Sequence, residues 1–376
     1  MGIDPDLAGG QLTIDLGALA RNWKLLNERS GDAECGAVVK ADAYGIGIKH
    51  AVPALMKAGC KTFFVAVPDE GRKLRSAAPD SDCYILNGLF PKATKFLVEN
   101  HLRPVLGTWN QVELWAEAAR QCGHALPCAI QMDSGMTRLG LSLEELEQLV
   151  ANTDLMAQFD IKLFMTHYAC ADDIGHPKTE SQREIFQHAS AFLPGVPRSA
   201  ANSAANLQEA GHAFDLARPG IALYGGEALI NVDNPMEPVV TLEGRINQIR
   251  TAKAGDSVGY GATETLRRST RIAYLSVGYA DGYHRAASNM GVPMRAVTPA
   301  AHAAFKGYIL KGIGRISMDL CAFDITDIPP DEIAEGDWLE LFGKTIPIDD
   351  VARAAGTIGY ELLTGLGRRY ARCYVK

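Results

Sequence analysis

Lys40 closes an apolar, β-branched run, Ala37-Val38-Val39-Lys40, and is the side chain in this sequence best suited to covalent chemistry. A partly desolvated amine at a strand end has a lowered pKa and can form a Schiff base with a carbonyl compound. A lysine there can equally snorkel to the rim with no duty beyond covering apolar surface. Tyr44, four residues on, supplies a hydroxyl that could meet a phosphate. Asn202-Ser203 and the backbone N–H groups of Gly220-Ile221 could complete a phosphate cup, glycine permitting close approach. Each of these alone also reads as a turn or loop residue. None forms a Walker-type or dinucleotide fingerprint, and Thr364-Gly-Leu-Gly367 reads as a helix-ending turn. Arg138 follows a Gly/Ser-rich turn and can grip a carboxylate bidentately or form a surface ion pair. Arg218, before Pro219, requires a hydrogen-bond acceptor if it lies inside a barrel mouth. His167 is either a satisfied core histidine or a group that orients a neighbouring arginine or phenol.

These residues recur at a regular place in the pattern of elements. Strand-like runs appear at Ala37–Val39, Thr62–Val65, Cys83–Leu86, Arg103–Leu106, Cys128–Gln131, Lys162–Met165, Arg198–Ala201 and Ile221–Tyr224. Helical stretches such as Gln111–Gln121, Ser142–Ala151 and Thr179–Phe192 separate most of them. Asp15 caps an earlier helix with Leu16, Leu19, Trp23 and Leu26 on one face. Strict alternation predicts an α/β fold with a (βα)8 TIM-like barrel, whose chemistry sits where strands end. Strand 1 runs into Lys40–Gly45, strand 5 into Gln131–Arg138, strand 6 into Thr166-His167-Tyr168 and strand 7 into Asn202-Ser203. Arg218–Ile221 lies around strand 8. After Asn234-Pro-Met-Glu-Pro238 strand patterns follow one another without crossover helices, which predicts a mainly antiparallel β domain. The expected division is a barrel over 11–236 and a β domain over 237–376, with residues 1–10 packing against the latter.

Composition narrows the class. With 376 residues, of which 47% are hydrophobic and 22% charged, the chain can bury a large core. Lys and Arg number 37 against 44 Asp and Glu, and the net charge of −7 disfavours a nucleic-acid-backbone binder. No apolar run approaches the ~20 residues of a membrane span. The start, Met1–Asp6, is acidic where a secretion signal would be basic. The 8 cysteines are scattered, without CxxC or a Cys/His cluster, so neither a metal site nor a disulfide framework is expected. A cytoplasmic enzyme is the expectation.

Assembled, these strings resemble those of the alanine racemases, pyridoxal 5'-phosphate enzymes with an N-terminal barrel and a C-terminal β domain. The resemblance rests on Ala37–Gly45, Met132–Gly140, Arg218–Gly225, Val258–Thr263, Val277–Gly282, Gly314–Asp319 and Arg369–Tyr374, in that order along nearly the whole chain. It implies interconversion of L- and D-alanine in a homodimer with shared active sites, supplying D-alanine for peptidoglycan. Lys40 then carries the cofactor and is one base, and Tyr260, reaching the partner subunit's site, is the other. Tyr44, Ser203, Gly220, Ile221 and Tyr360 hold the phosphate, and Arg218 faces the pyridine nitrogen. Arg138 meets the phenolic oxygen and the substrate carboxylate, which Met318 of the partner chain also meets. His167 and Asn202 support them.

The physical logic agrees with those roles. Inversion at a carbon needs a base on each face, and a tyrosine with a reference pKa of about 10 needs positive charge nearby to serve. An arginine at the ring nitrogen cannot protonate it, which weakens the electron sink and favours simple proton exchange. Many relatives carry a carbamylated lysine where this chain has Gln131, so the Gln131 amide, with or without a bound anion, is expected to anchor Arg138. Tyr279, Tyr360 and Met318 would crowd the pocket towards a methyl side chain. Serine remains open, because a methylene is worth only about 1–3 kcal/mol. The rival readings are a decarboxylase of the same architecture, which would need a glycine-rich phosphate loop not found here, and a non-catalytic cofactor carrier, which would need no β domain.

Overall fold

The computed structural model describes residues 3–208, 212–288 and 301–376. It divides into two units, Leu19–Glu237 and a second one made of Met1–Ala18 with Pro238–Lys376.

In the first unit seven parallel strands follow one another in sequence order: Ala37–Val38, Thr62–Val65, Asp82–Ile85, Arg103–Leu106, Leu126–Gln131, Phe159–Met165 and Arg198–Ser199. Their apolar runs are continuous rather than alternating, as burial on both faces requires; Phe63, Phe64 and Val65 are all fully buried. The eighth position is taken by Leu216–Ala217, which pairs in parallel with Glu34–Cys35, just before Ala37–Val38. Backbone bonds from Asp215 N–H to the Arg198 carbonyl and from Arg218 N–H to the Ala201 carbonyl, both 2.9 Å, close the ring on its other side.

The eighth strand expected at Ile221–Tyr224 is therefore misplaced: that segment is a 3-10 turn. Its four residues are buried, which explains their apolar pattern, but the N–H groups of Gly220 and Ala222 go to the Ser203 hydroxyl instead of a ladder. The surrounding helices start where local chemistry predicts. Thr108 caps Trp109–Cys122, and Ser142 with Glu145 forms a reciprocal capping box on Leu143–Ala151. The two ends of the unit are stitched by buried Asn22, whose amide donates to the carbonyls of Leu223 (3.1 Å) and Glu237 (2.8 Å) and accepts from Glu237 N–H (2.8 Å).

In the second unit the long strand Val240–Ala252 pairs antiparallel with Gly10–Asp15, Thr270–Leu275 and Trp338–Phe342. Gly10–Asp15 also pairs in parallel with the last strand, Ala371–Val375. Residues 11–18 thus group with this unit and not with the barrel to which sequence patterning assigned them. Asp15 caps helix Leu16–Arg29 as expected, accepting from Ala18 N–H at 2.8 Å. The single helix expected over Ile348–Leu363 is two, Ile348–Ala355 and Gly359–Thr364, separated where Gly356 takes φ +67°. Among the described residues no helix is long and apolar enough to cross a membrane.

Candidate active site

The chain leaves the first barrel strand through a left-handed turn. Val39 N–H still pairs with the Phe64 carbonyl (2.8 Å), but Ala41, Asp42, Ala43 and Tyr44 then take φ of 52°, 55°, 56° and 50°. Bonds from Ala43 N–H to Val39, Gly45 N–H to Ala41 and Gly47 N–H to Asp42 close the turn, and the Asp42 carboxylate accepts from Ile48 N–H at 2.9 Å. Left-handed backbone costs an L-residue about 1–2 kcal/mol, so the strain is concentrated just after Lys40. Ala41 is exposed and its methyl packs little. Ala41→Gly should therefore stabilise the cofactor-free protein by about 1 kcal/mol, read as a raised urea midpoint with unchanged slope.

The turn presents Lys40 and Tyr44 to the barrel mouth. Desolvation lowers the pKa of the Lys40 ammonium and Arg138 adds to that, while Glu70 opposes both. Tyr44 is buried and stacks on Tyr224 at 4.5 Å between ring centroids; the Tyr224 hydroxyl donates to the Val38 carbonyl at 2.9 Å. Asn202 caps the short helix Ser203–Leu207 by accepting from Ala205 N–H (3.1 Å), which aims Ser203 at the mouth. The Ser203 hydroxyl accepts from Gly220 N–H (2.7 Å) and Ala222 N–H (3.3 Å). A Cβ placed on Gly220 would overlap the Tyr44 hydroxyl. Two hydroxyls and two backbone N–H groups thus gather around Gly220, whose lack of a side chain makes room for the Tyr44 hydroxyl, and groups of these types make up an anion cup.

Arg218 is 3% exposed, and among the described residues no carboxylate pairs with it. Its guanidinium donates to the Ser199 hydroxyl, to the Thr166 carbonyl (2.6 Å) and to His167 Nδ1 (3.3 Å). Burial lowers its pKa to about 10, which still leaves it cationic at neutral pH. Burial first, then Arg218, Arg138 and Lys40, lower the pKa of His167 to about 3, so its ring is neutral and Nδ1 is an acceptor. An unfolded histidine titrates near 6.5, so between those values the unfolded chain binds the extra proton. This contribution to stability is complete above about pH 6.5 and lost as pH falls towards 3. Unfolding free energy measured against pH should decline less steeply over that window in His167→Gln than in the parent chain.

Arg138 stands on a loop built by Asp133, whose Oδ1 accepts from the N–H groups of Gly135 (2.9 Å), Met136 (2.8 Å) and Thr137 (3.1 Å). Burial works to raise the Asp133 pKa, but these N–H groups and that of Arg138 outweigh it and hold it below the usual carboxylate range. The buried Gln131 amide donates to the Leu139 carbonyl at 2.9 Å. It therefore fastens the backbone next to Arg138, where direct anchoring of the guanidinium was expected. Fully buried Gln182 joins this loop to His167: its amide donates to Ser134 Oγ (3.2 Å) and the His167 carbonyl (2.9 Å) and accepts from Ala169 N–H (2.9 Å). Asp133 and Gln182 were not legible as site-builders. Asp133 sits inside a recognisable string, yet its work is backbone capping, and Gln182 lies on a helix remote in sequence.

The remaining predicted residues belong to the second unit. Tyr260 stands on a 3-10 turn between Gly259 (φ 72°) and Gly261 (φ 75°) and is 67% exposed. It borders a cavity of about 340 Å³ shared with Arg315, Ser317 and Leu320. Met318, 53% exposed, follows Ser317 in a loop whose carbonyls accept from Tyr279 N–H and Ala280 N–H, both at 3.0 Å. A Cβ at Gly278 would collide with the backbone of that loop. Arg369 bridges Asp281 (2.6 Å) and Asp319 (2.8 Å), bracketing the loop from its other end. Tyr360 lies half-exposed on helix Gly359–Thr364. Among the described residues no cluster of His, Cys, Asp and Glu is placed to hold a metal ion.

Two family models match in tandem, "Alanine racemase, N-terminal domain" over residues 14–228 and "Alanine racemase, C-terminal domain" over 239–374. The chain belongs to the alanine racemase family. The alanine racemase of Rhizobium meliloti is 48% identical over 98% of this chain and 97% of its own length. The biosynthetic alanine racemase of Agrobacterium fabrum is 46% identical over 97% and 93%. The crystal structure of alanine racemase from Bartonella henselae with covalently bound pyridoxal phosphate superposes with a TM-score of 0.90 at 37% identity, covering 98% of this chain and all of that one. The racemase architecture, a barrel followed by a mainly antiparallel β domain, is the one described above.

Proposed function

We propose that this chain interconverts L- and D-alanine as a cytoplasmic homodimer carrying pyridoxal 5'-phosphate, and that its D-alanine feeds peptidoglycan. The observation that carries this reading is the barrel mouth itself, where a lysine of lowered pKa, a buried cation and an anion cup occupy neighbouring strand ends. They suit the cofactor group by group. The cup of Tyr44, Ser203, Gly220 and Ile221 takes the phosphate with Asn202 behind it, Arg218 offers only donors to the ring nitrogen, and Arg138 takes the phenolic oxygen.

When bound, pyridoxal phosphate supplies an electron sink that acidifies the Cα–H of an attached amino acid. The chain's own groups then divide the work. Lys40, its pKa lowered, holds or releases a proton on one face, and Tyr260 of the partner subunit does so on the other. Neutral His167, hydrogen-bonded to cationic Arg218, passes positive polarisation towards that phenol. Arg138 and Met318 of the partner subunit hold the substrate carboxylate, and Tyr360 adds a hydroxyl at the phosphate. The exposure of Tyr260 and Met318 in one chain supports their use by a second copy.

Chiral mass analysis of L-alanine incubated with cofactor-loaded protein in heavy water tests the reading. D-alanine carrying deuterium at Cα is the expected product. Deuterated L-alanine alone would mean that the Lys40 face works without a second base. Unchanged L-alanine, with serine turned over in a parallel sample, would replace the proposed substrate.

A further inference from the structure

The peptide after Lys40 is held from outside its own turn. Ala41 N–H donates to Glu70 Oε1 at 2.6 Å, and Glu70 Oε2 accepts from Ala66 N–H at 2.8 Å. Ala66 directly follows strand Thr62–Val65, the neighbour of Ala37–Val38 in the barrel. One carboxylate therefore ties together the exits of two adjacent strands. Glu70 lies in the first turn of helix Pro68–Ala77, where the helix dipole and free N–H groups favour a negative charge, and Pro68 fixes where that helix begins.

The turn needs such a partner. Its first internal bond comes from Ala43 N–H, so Ala41 N–H finds no acceptor within the turn itself. Without Glu70, that exposed N–H would have only water as its partner, nothing from the neighbouring strand exit would hold it, and Ala41 could relax towards right-handed backbone. Only one peptide separates Ala41 from Lys40, so that relaxation would re-aim the lysine.

We infer that Glu70 is a positioning residue: its two-pronged carboxylate locks the left-handed turn and thereby fixes the direction from which the Lys40 amine meets the cofactor. This rests on the proposed attachment of the cofactor to Lys40. The same carboxylate also acts on the amine through space, against desolvation and against Arg138, the other charged group facing it. Among the described residues no other acidic side chain acts on Lys40 in this way.

Amide hydrogen exchange over residues 41–47 of cofactor-free protein tests the lock, and the visible band that grows as added pyridoxal phosphate links to lysine, fixed by borohydride and mapped to Lys40, tests its consequence. Glu70→Ala should speed exchange there by at least about tenfold and slow growth of the band by a similar factor, as expected for losing a charge-assisted bond to backbone. Glu70→Gln guards against misfolding, because it keeps one acceptor but turns a donor towards the second N–H; it should show the same signs to a smaller degree. Asp69→Asn, which removes the adjacent exposed carboxylate paired with Arg72, should change neither reading. Unchanged exchange in both Glu70 variants would overturn the lock. Faster exchange with an unaltered band would reduce Glu70 to a merely structural role and overturn the positioning. If the parent chain itself gives no Lys40-linked product, the cofactor assignment fails, while exchange still reports on the turn.

Discussion

Mixing Lys40→Ala protein with Tyr260→Phe protein should restore about a quarter of the parent activity from two preparations that are each nearly inactive. Each variant alone should lose at least about 1,000-fold in kcat/KM, because each removes the base on one face from every site. A mixed dimer assembles one site from an intact lysine and an intact tyrosine and loads both lesions onto the other. Random exchange makes half of the dimers mixed, and each of those has one working site. Exchange must be verified independently, for instance by differently tagged chains. Demonstrated exchange with no recovered racemisation would defeat the shared site and return Tyr260 to its own chain.

Gly220→Ala should weaken pyridoxal phosphate binding by at least about 100-fold, the loss expected when two or more hydrogen bonds to a charged group are disturbed. The added methyl would overlap the Tyr44 hydroxyl, and the same peptide carries an N–H now given to Ser203. Fluorescence titration of cofactor-free protein measures the effect without relying on turnover. Inorganic phosphate should compete with the cofactor in the parent chain and much less in the variant. Equal affinity in both chains would place the phosphate elsewhere in the barrel.

How much of this was legible from sequence depended on the length scale of each feature. Barrel strands of four residues or more, such as Thr62–Val65 and Phe159–Met165, announce themselves by composition, and the residues after them mark the mouth. Leu216–Ala217 is only two residues long, too short for any periodicity, so the buried apolar run Ile221–Tyr224 drew the assignment that belongs to its predecessor. Lys40 was legible as a chemical group, whereas its backbone was not. In Ala-Asp-Ala-Tyr only Asp42 is of a type that tolerates positive φ, yet all four residues adopt it, and tertiary partners including Glu70 hold the left-handed path. Gln131 stood out in the sequence as a departure from the pattern the resemblance implies, but its bond to Leu139 required the folded loop. The first strand, Gly10–Asp15, was missed because its two partners begin more than 200 residues later.

That last pairing makes the barrel an insertion. The chain starts one domain, interrupts it after Ala18 to build another through Glu237, and only then resumes the first. On a ribosome the barrel can emerge and close on itself, with Asn22 clasping its own exit at Glu237, while the β domain is still largely unmade. Gly10–Asp15 must meanwhile wait as an unpaired strand, an aggregation hazard until Val240–Ala252 arrives, and its second edge stays open until Ala371–Val375, far downstream of both, take their place.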